Sequence, residues 1–169
     1  ISRNHRIIDY ATNGMRSEFM DLYLGAHCEF CISTGTGFDA IPYIFRRPIV
    51  YVNYVPLEYL FTFVAGSLGI WKHHLKAGKR MTVAEIVASG AGHFMSAQEF
   101  ADAGITLADN TPQEISDAVL EMAEGWPRQA DTFWDTFPRS RSTYTQQPLH
   151  GEIRMRIGRE FLEQYAEPA

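Results

Sequence analysis

Apolar residues recur at two different spacings along the first third of the chain. Phe19, Leu22, Tyr23 and Ala26 fall at i, i+3, i+4 and i+7, which predicts a helix over residues 17–27 with Ser17 as its N-cap. On either side lie short apolar runs, residues 7–11, 28–33 and 49–53, the last of them β-branched and without alternation, as a strand buried on both faces would be. A second short helix is expected over residues 39–45, with Pro42 in its first turn, where the missing N–H costs least. The first 53 residues therefore read β-α-β-α-β, a pattern that predicts a parallel sheet covered by helices.

The pattern weakens over residues 54–79, where Pro56, Gly66, Gly69 and Gly78 interrupt a run of aromatics, so this stretch is expected to be an irregular insertion. Three helix starts follow on one design, Thr82 with Glu85, Ser96 with Glu99, and Thr111 with Glu114, each a hydroxyl and a Glu at capping-box spacing. Between the last two, residues 104–108 read as a short strand, so residues 108–111 form a second strand-to-helix junction, on the same rim as the others if the strands are neighbours. Residues 126–148 are rich in Pro, Ser and Thr and are expected to be irregular, and residues 152–165 read as a final helix with Ile153, Ile157, Phe161, Leu162 and Tyr165 on one side.

Composition narrows the class without naming a chemistry. In 169 residues, 46% hydrophobic and 21% charged, there is room for one domain and its core. The net charge of −5 and the absence of long basic runs disfavour a nucleic-acid partner. No stretch reaches the roughly 18–20 apolar residues of a membrane span, so the expected location is cytoplasmic, with attachment to a membrane surface as the variant. The chain begins with Ile1, which suggests a piece of a longer protein. Cys28 and Cys31 spell C-x-x-C. On one strand the two sulfurs would face opposite sides, and no second pair completes a zinc site, so both read as reduced, inert thiols and no metal is expected.

In an open parallel sheet, ligands bind beyond the carboxyl ends of the strands. Three such ends carry chemistry here. Thr34, Gly35, Thr36 and Gly37 join a strand to a helix, where glycines permit close approach and free N–H groups attract anions, a setting that suits a diphosphate or a plain turn. Asp39 could cap the helix or hold a sugar hydroxyl. Asn53 ends the next strand and could read a ligand or start a turn, Glu58 after it could contact a ribose diol or be a solvated loop carboxylate, and Asp109, Asn110 and Thr111 follow the strand at 104–108. The loop is neither G-x-G-x-x-G nor a P-loop. His73 and His74, ahead of Lys76, Lys79 and Arg80, read as a loop that could offer positive charge to phosphates or is merely solvated, and His27 and His93 read as helix-end or core residues. No nucleophile–base pair follows from residue order.

The run FCISTGTGFDAIPYIFRRPIVYVNYVPLEYL, with the later ITLADNTPQEISDAVLEM, resembles a bacterial family of glycosyltransferases linked to surface-carbohydrate genes and, at longer range, the donor-binding half of GT-B glycosyltransferases. The resemblance covers about residues 9–122. It implies an α/β, three-layer Rossmann-like fold with helices on both faces of a parallel sheet, the C-terminal half of a GT-B enzyme. Residues 1–128 would form the nucleotide-sugar-binding domain and residues 129–169 an irregular segment and C-terminal helix packing back on it or on a missing N-terminal domain. It further implies a nucleotide-sugar donor as substrate, no cofactor, residues 34–37 beside the donor phosphates, and Asn53 and residues 109–111 on the same rim. A facing N-terminal Rossmann-like domain, absent from this chain, would supply the catalytic base. The alternatives are a non-catalytic binding or assembly module of the same fold, and a nucleotide-sugar epimerase.

Overall fold

The computed structural model describes residues 4–125 and 154–165. Its centre is a parallel sheet of four strands, β1 (Cys31–Ser33), β2 (Ile49–Tyr54), β3 (Leu68–Trp71) and, from beyond the helical region, β7 (Arg156–Ile157), in the order β1-β2-β3-β7. Cys31 lies opposite Ile49, Val50 opposite Leu68, and Leu68 opposite Arg156. Ile49, Val50 and Tyr51 are wholly buried, which explains why β2 reads as an unbroken apolar run. A second, antiparallel sheet is formed by β4 (His73–Lys76), β5 (Lys79–Arg80) and β6 (Ile105–Ala108), in the order β5-β4-β6.

Among the described residues six helices flank these sheets: α1 (Glu18–His27), α2 (Ala40–Ile44), α3 (Val83–Ala88), α4 (Ala97–Asp102), α5 (Pro112–Ala123) and α6 (Arg159–Glu163). Short 3-10 turns cover Gly37–Asp39, Leu57–Tyr59 and Ala91–His93. The mixed α/β class and the parallel sheet agree with the sequence reading. Ser17 caps α1, and all three capping boxes form, each with hydroxyl and carboxylate bonded reciprocally. Helix α5 packs on β2 and β3 and against α6. Helix α6 is held by an aromatic cluster in which Phe161 meets the Trp71 ring edge-on at 4.8 Å and stacks on His73 at 5.4 Å.

Several elements differ from the sequence expectation, each for a local reason. Residues 7–11 form no strand. They fold into turns leading to α1, where the Tyr10 hydroxyl donates to the Ser17 carbonyl and accepts the Ser17 N–H, and Ile7 and Ile8 stay exposed. The helix at 17–27 forms, but Phe19 is 70% exposed and the positions it buries are Gly25 and Ala26. The next strand starts only at Cys31, because the Cys28 N–H is spent on the Leu24 carbonyl at the end of α1. The two thiols therefore lie on different elements, not on opposite faces of one strand. Both are free and partly exposed, and burial pushes Cys31 up to about 11, so it stays a thiol at neutral pH.

The stretch at 54–79 is not an irregular insertion. All four residues of β3 are buried, so no alternation betrays the strand, and Gly69 is there because a side chain would meet Met155 and Leu60. His73 and His74 are not loop residues either: both are buried on β4, which turns to β5 through Ala77 and Gly78, both at positive φ as a type I′ hairpin requires. The strand at 104–108 forms but joins the antiparallel sheet beside β4, with His73 opposite Ala108. The final helix is shorter than expected, since Arg156 and Ile157 extend beside β3 before α6 begins after Gly158. Residues 126–148 lie outside the described residues. No described helix is long and apolar enough to cross a membrane.

One residue, Lys72, separates β3 from β4, so the chain passes directly from one sheet to the other. At that junction the ladder between β2 and β3 shifts between Tyr51 and Tyr54, and Asn53 takes a left-handed conformation at φ 51°. Asn tolerates that region better than most residues. The turn aims Asn53 at Asn110. The Asn53 N–H donates to Asn110 Oδ1 at 2.6 Å, the Asn110 N–H donates to Asn53 Oδ1 at 2.5 Å, and Asn110 Nδ2 donates to the Trp71 carbonyl at 2.8 Å. The carboxyl ends of β2, β3 and β6 are thereby fastened together.

Candidate functional site

The loop after β1 lies at the carboxyl edge of the parallel sheet and is exposed from Thr34 through Phe38. Gly35 has φ 85°, and a Cβ placed on it would stand 2.6 Å from the Tyr54 ring, so both backbone and packing demand glycine. Gly37 meets neither constraint: a Cβ there would touch nothing within 4 Å. Two loop amides are already committed. The Gly35 N–H donates to Ser33 Oγ at 3.2 Å, and the Thr36 N–H donates to Asp39 Oδ2 at 2.9 Å. The amides of Gly37 and Phe38 open the first helical turn, where no carbonyl of that helix can accept them. They and the exposed threonines are the groups an anion would meet.

Asp39 is only 2% exposed and lies beneath this loop. Its Oδ1 has no hydrogen-bond partner among the described residues, nor has the buried Tyr51 hydroxyl. Burial raises the Asp39 carboxyl above its ordinary value, partly offset by hydrogen bonds from Ser33 and Thr36. Burial, and then the neighbouring Asp39 charge, push Tyr54 up to about 12 and shift Tyr51 in the same direction. Asp39 therefore works as an internal cap of the loop. It is closed off from a sugar hydroxyl in this conformation.

Tyr54 carries the edge onward. Its ring packs on Gly35 while its hydroxyl donates to the Tyr59 carbonyl at 2.8 Å. Next to Tyr59, Glu58 is buried, its carboxylate facing His93 Nε2 at 3.3 Å. Gly92 allows this approach, since a Cβ there would stand 2.3 Å from Glu58 Oε2. Asn53 and Asn110 spend their side chains on each other's backbone. Asp109 is exposed and paired with Lys72 Nζ at 2.6 Å. Thr111 caps α5, giving its N–H and hydroxyl to Glu114 at 2.7 and 3.0 Å.

Glu114 continues inward to His73 Nε2 at 2.9 Å, and His73 Nδ1 meets the Tyr165 hydroxyl at 3.0 Å. Burial pushes Glu114 up, but the Thr111 N–H and His73 outweigh it, and the carboxyl rests below its ordinary value. This relay ties α5 and α6 to β4.

Of the residues expected on the rim, the structure joins Asn53 with Asn110 and links residues 34–37 through Tyr54 to the turn that holds Glu58. It commits Thr111 to a helix cap. Sequence reasoning missed Tyr54 and Lys72, and read His93 as a helix-end or core residue, which it is at the end of a 3-10 turn, without its Glu58 partner. The Gly-Ala-Gly ahead of His93 was the available signal, because such a run lets a backbone press against a neighbouring side chain. Among the described residues no group of three or more His, Cys, Asp or Glu stands ready for a metal ion. No family model, curated protein or solved structure matches the chain.

Two predictions follow from the loop. Gly35→Ala is expected to destabilise the fold by about 1–3 kcal/mol, through left-handed strain and the Tyr54 contact, and Gly37→Ala by less than about 0.5 kcal/mol. Urea unfolding measures both, and equal effects would contradict the geometry. For Asp39, a raised folded-state pKa means that the burial penalty is absent when the group is protonated in both states. The penalty grows as pH rises past the ordinary 3.8 toward the folded value. Asp39→Asn keeps the acceptor and cannot ionise, so its stability relative to wild type should increase as pH rises above about 4. A difference independent of pH would contradict this.

Proposed function

We propose that residues 34–38 cradle the diphosphate of a nucleoside-diphosphate sugar, and that this chain is the donor-binding, Rossmann-like part of a GT-B-type bacterial glycosyltransferase. The observation that carries the reading is the exposed Thr-Gly-Thr-Gly loop at the carboxyl end of a parallel strand, running straight into a helical turn whose first amides are unspent. Such an edge is where parallel α/β sheets take their ligands. Residue resemblance points the same way: the loop, the Arg-Pro before β2 and the segment around Asn110 occur in the order of a donor-binding half.

The chemistry asked of this edge is modest. In glycosyl transfer the bond from the anomeric carbon to the phosphate oxygen breaks, and its electron pair leaves with the diphosphate. Amides of Gly37 and Phe38, with the Thr34 and Thr36 hydroxyls, would stabilise that departing charge without reorganising. Asp39 holds the loop in shape from behind, so the diphosphate meets amides and hydroxyls ahead of the buried carboxyl. The acceptor and the base that deprotonates it would come from outside these residues.

Titration of the 15N-labelled chain with UDP, GDP, ADP and CDP tests the reading by NMR. At least one is expected to shift the amides of residues 34–38, and Gly37→Glu, which the open space tolerates, is expected to weaken that binding about tenfold or more. Unmoved amides with all four nucleotides would overturn the proposal.

A further inference from the structure

Helix α1 carries an apolar stripe that its own fold leaves open. Phe19, Leu22, Tyr23 and Ala26 share the spacing of a buried helix face, yet of the four only Ala26 is buried. Phe19 is 70% exposed, Leu22 51% and Tyr23 47%. The packing of α1 on α2 is centred on its closing turn, where a Cβ on Gly25 would stand 2.6 Å from Ile41. The stripe runs past that contact toward the helix start. Along it Phe19 stacks on Tyr23 at 6.0 Å and Tyr23 on His27 at 4.3 Å, a ladder of rings on one face of the helix. Such stacking on an exposed helix returns much less than burying the rings would.

The area is what an interface needs. Phe19, Leu22 and Tyr23 present roughly 400 Å² to solvent. The exposed Ile7, Ile8 and Met15 add a comparable area on the segment whose Tyr10 hydroxyl bonds both backbone groups of Ser17. A lone chain rarely exposes a contiguous apolar patch above a few hundred Å², whereas each partner in a standard interface gives up about 800 Å². A lipid surface would call for Lys and Arg beside the apolar face. Helix α1 has neither, and carries Glu18 and Asp21 instead.

We propose that a second copy of this chain closes the face, with two α1 helices packed antiparallel about a two-fold axis at Tyr23. Tyr23 is midway along the ladder, so the axis sets it against its own counterpart and sets Phe19 against the partner's His27. Rows of residues four apart are the ridges that packed helices most often interdigitate, and a face that pairs with itself is what a two-fold interface requires. Antiparallel alignment also opposes the two helix dipoles and sets Glu18 toward the partner's last turn, which Arg47 reaches through its bond to the Ala26 carbonyl at 2.8 Å. The contact does not rest on the reading of residues 34–38.

Size exclusion with light scattering on the 169-residue chain, from about 5 to about 200 µM, measures this. The mass is expected to rise with concentration toward twice that of one chain. Phe19→Glu and Tyr23→Glu sit at exposed positions, and each is expected to weaken association about tenfold or more. Leu120→Lys, at a site 54% exposed on α5, is expected to leave it unchanged. Circular dichroism checks that each variant folds. Should a Glu variant not fold, the wild-type amides of residues 18–27 still decide, since they are expected to shift with concentration while those of residues 105–108 stay. A wild-type chain that remains monomeric at the highest concentration would overturn the inference, and its binding to phosphatidylglycerol vesicles would give the face to a lipid surface instead. A dimer that Phe19→Glu and Tyr23→Glu leave intact would also overturn it, by placing the contact elsewhere.

Discussion

The reciprocal pair of Asn53 and Asn110 is the interaction on which the arrangement depends. Each side chain accepts the other's backbone N–H, and Asn110 also donates to Trp71. The chain leaves one sheet and enters another across a single residue, Lys72, and the ladder between β2 and β3 shifts between Tyr51 and Tyr54, so backbone groups at the junction need partners outside it. Each such group costs about 1–3 kcal/mol when unpaired. Two asparagines 57 positions apart in sequence satisfy the N–H of each other and the Trp71 carbonyl there. They also set where the chain turns after β2, and hence where Tyr54 and the turn at Leu57–Tyr59 stand.

From that turn the rest of the edge follows. Tyr54 supports Gly35 on one side and the Tyr59 carbonyl on the other, so the exposed loop and the Glu58–His93 pair share one rigid neighbour. The opposite flank of the junction is held by the relay from Thr111 through Glu114 and His73 to Tyr165, which anchors α6. Polar groups are concentrated where the two sheets meet, and nearly all of them serve geometry. Residues 34–38, by contrast, face solvent.

Legibility in the sequence tracked how local the determining force was. The capping boxes and the Ser17 cap were readable because a hydroxyl and a Glu three residues apart carry the whole interaction. Strand β2 was readable because burial on both faces leaves a β-branched run. Strand β3 obeys the same rule but has Leu-Gly-Ile-Trp, and a glycine chosen for Met155 and Leu60 looks like a break. The antiparallel placement of β6 and the strand at Arg156–Ile157 depend on partners far along the chain, which periodicity cannot report. In the site, Thr34 to Gly37 announced themselves through composition. The partners of Asn53 and Glu58 did not, because only the fold brings Asn110 and His93 to them.

Native-state hydrogen exchange at the amides of Asn53 and Asn110 tests most directly whether this clasp joins the two sheets. Both N–H groups are expected to exchange only through global unfolding, with protection equal to that of the buried β2 amides such as Tyr51. Exchange of either at the rate of an open turn such as Gly78, while β2 stays protected, would contradict the account.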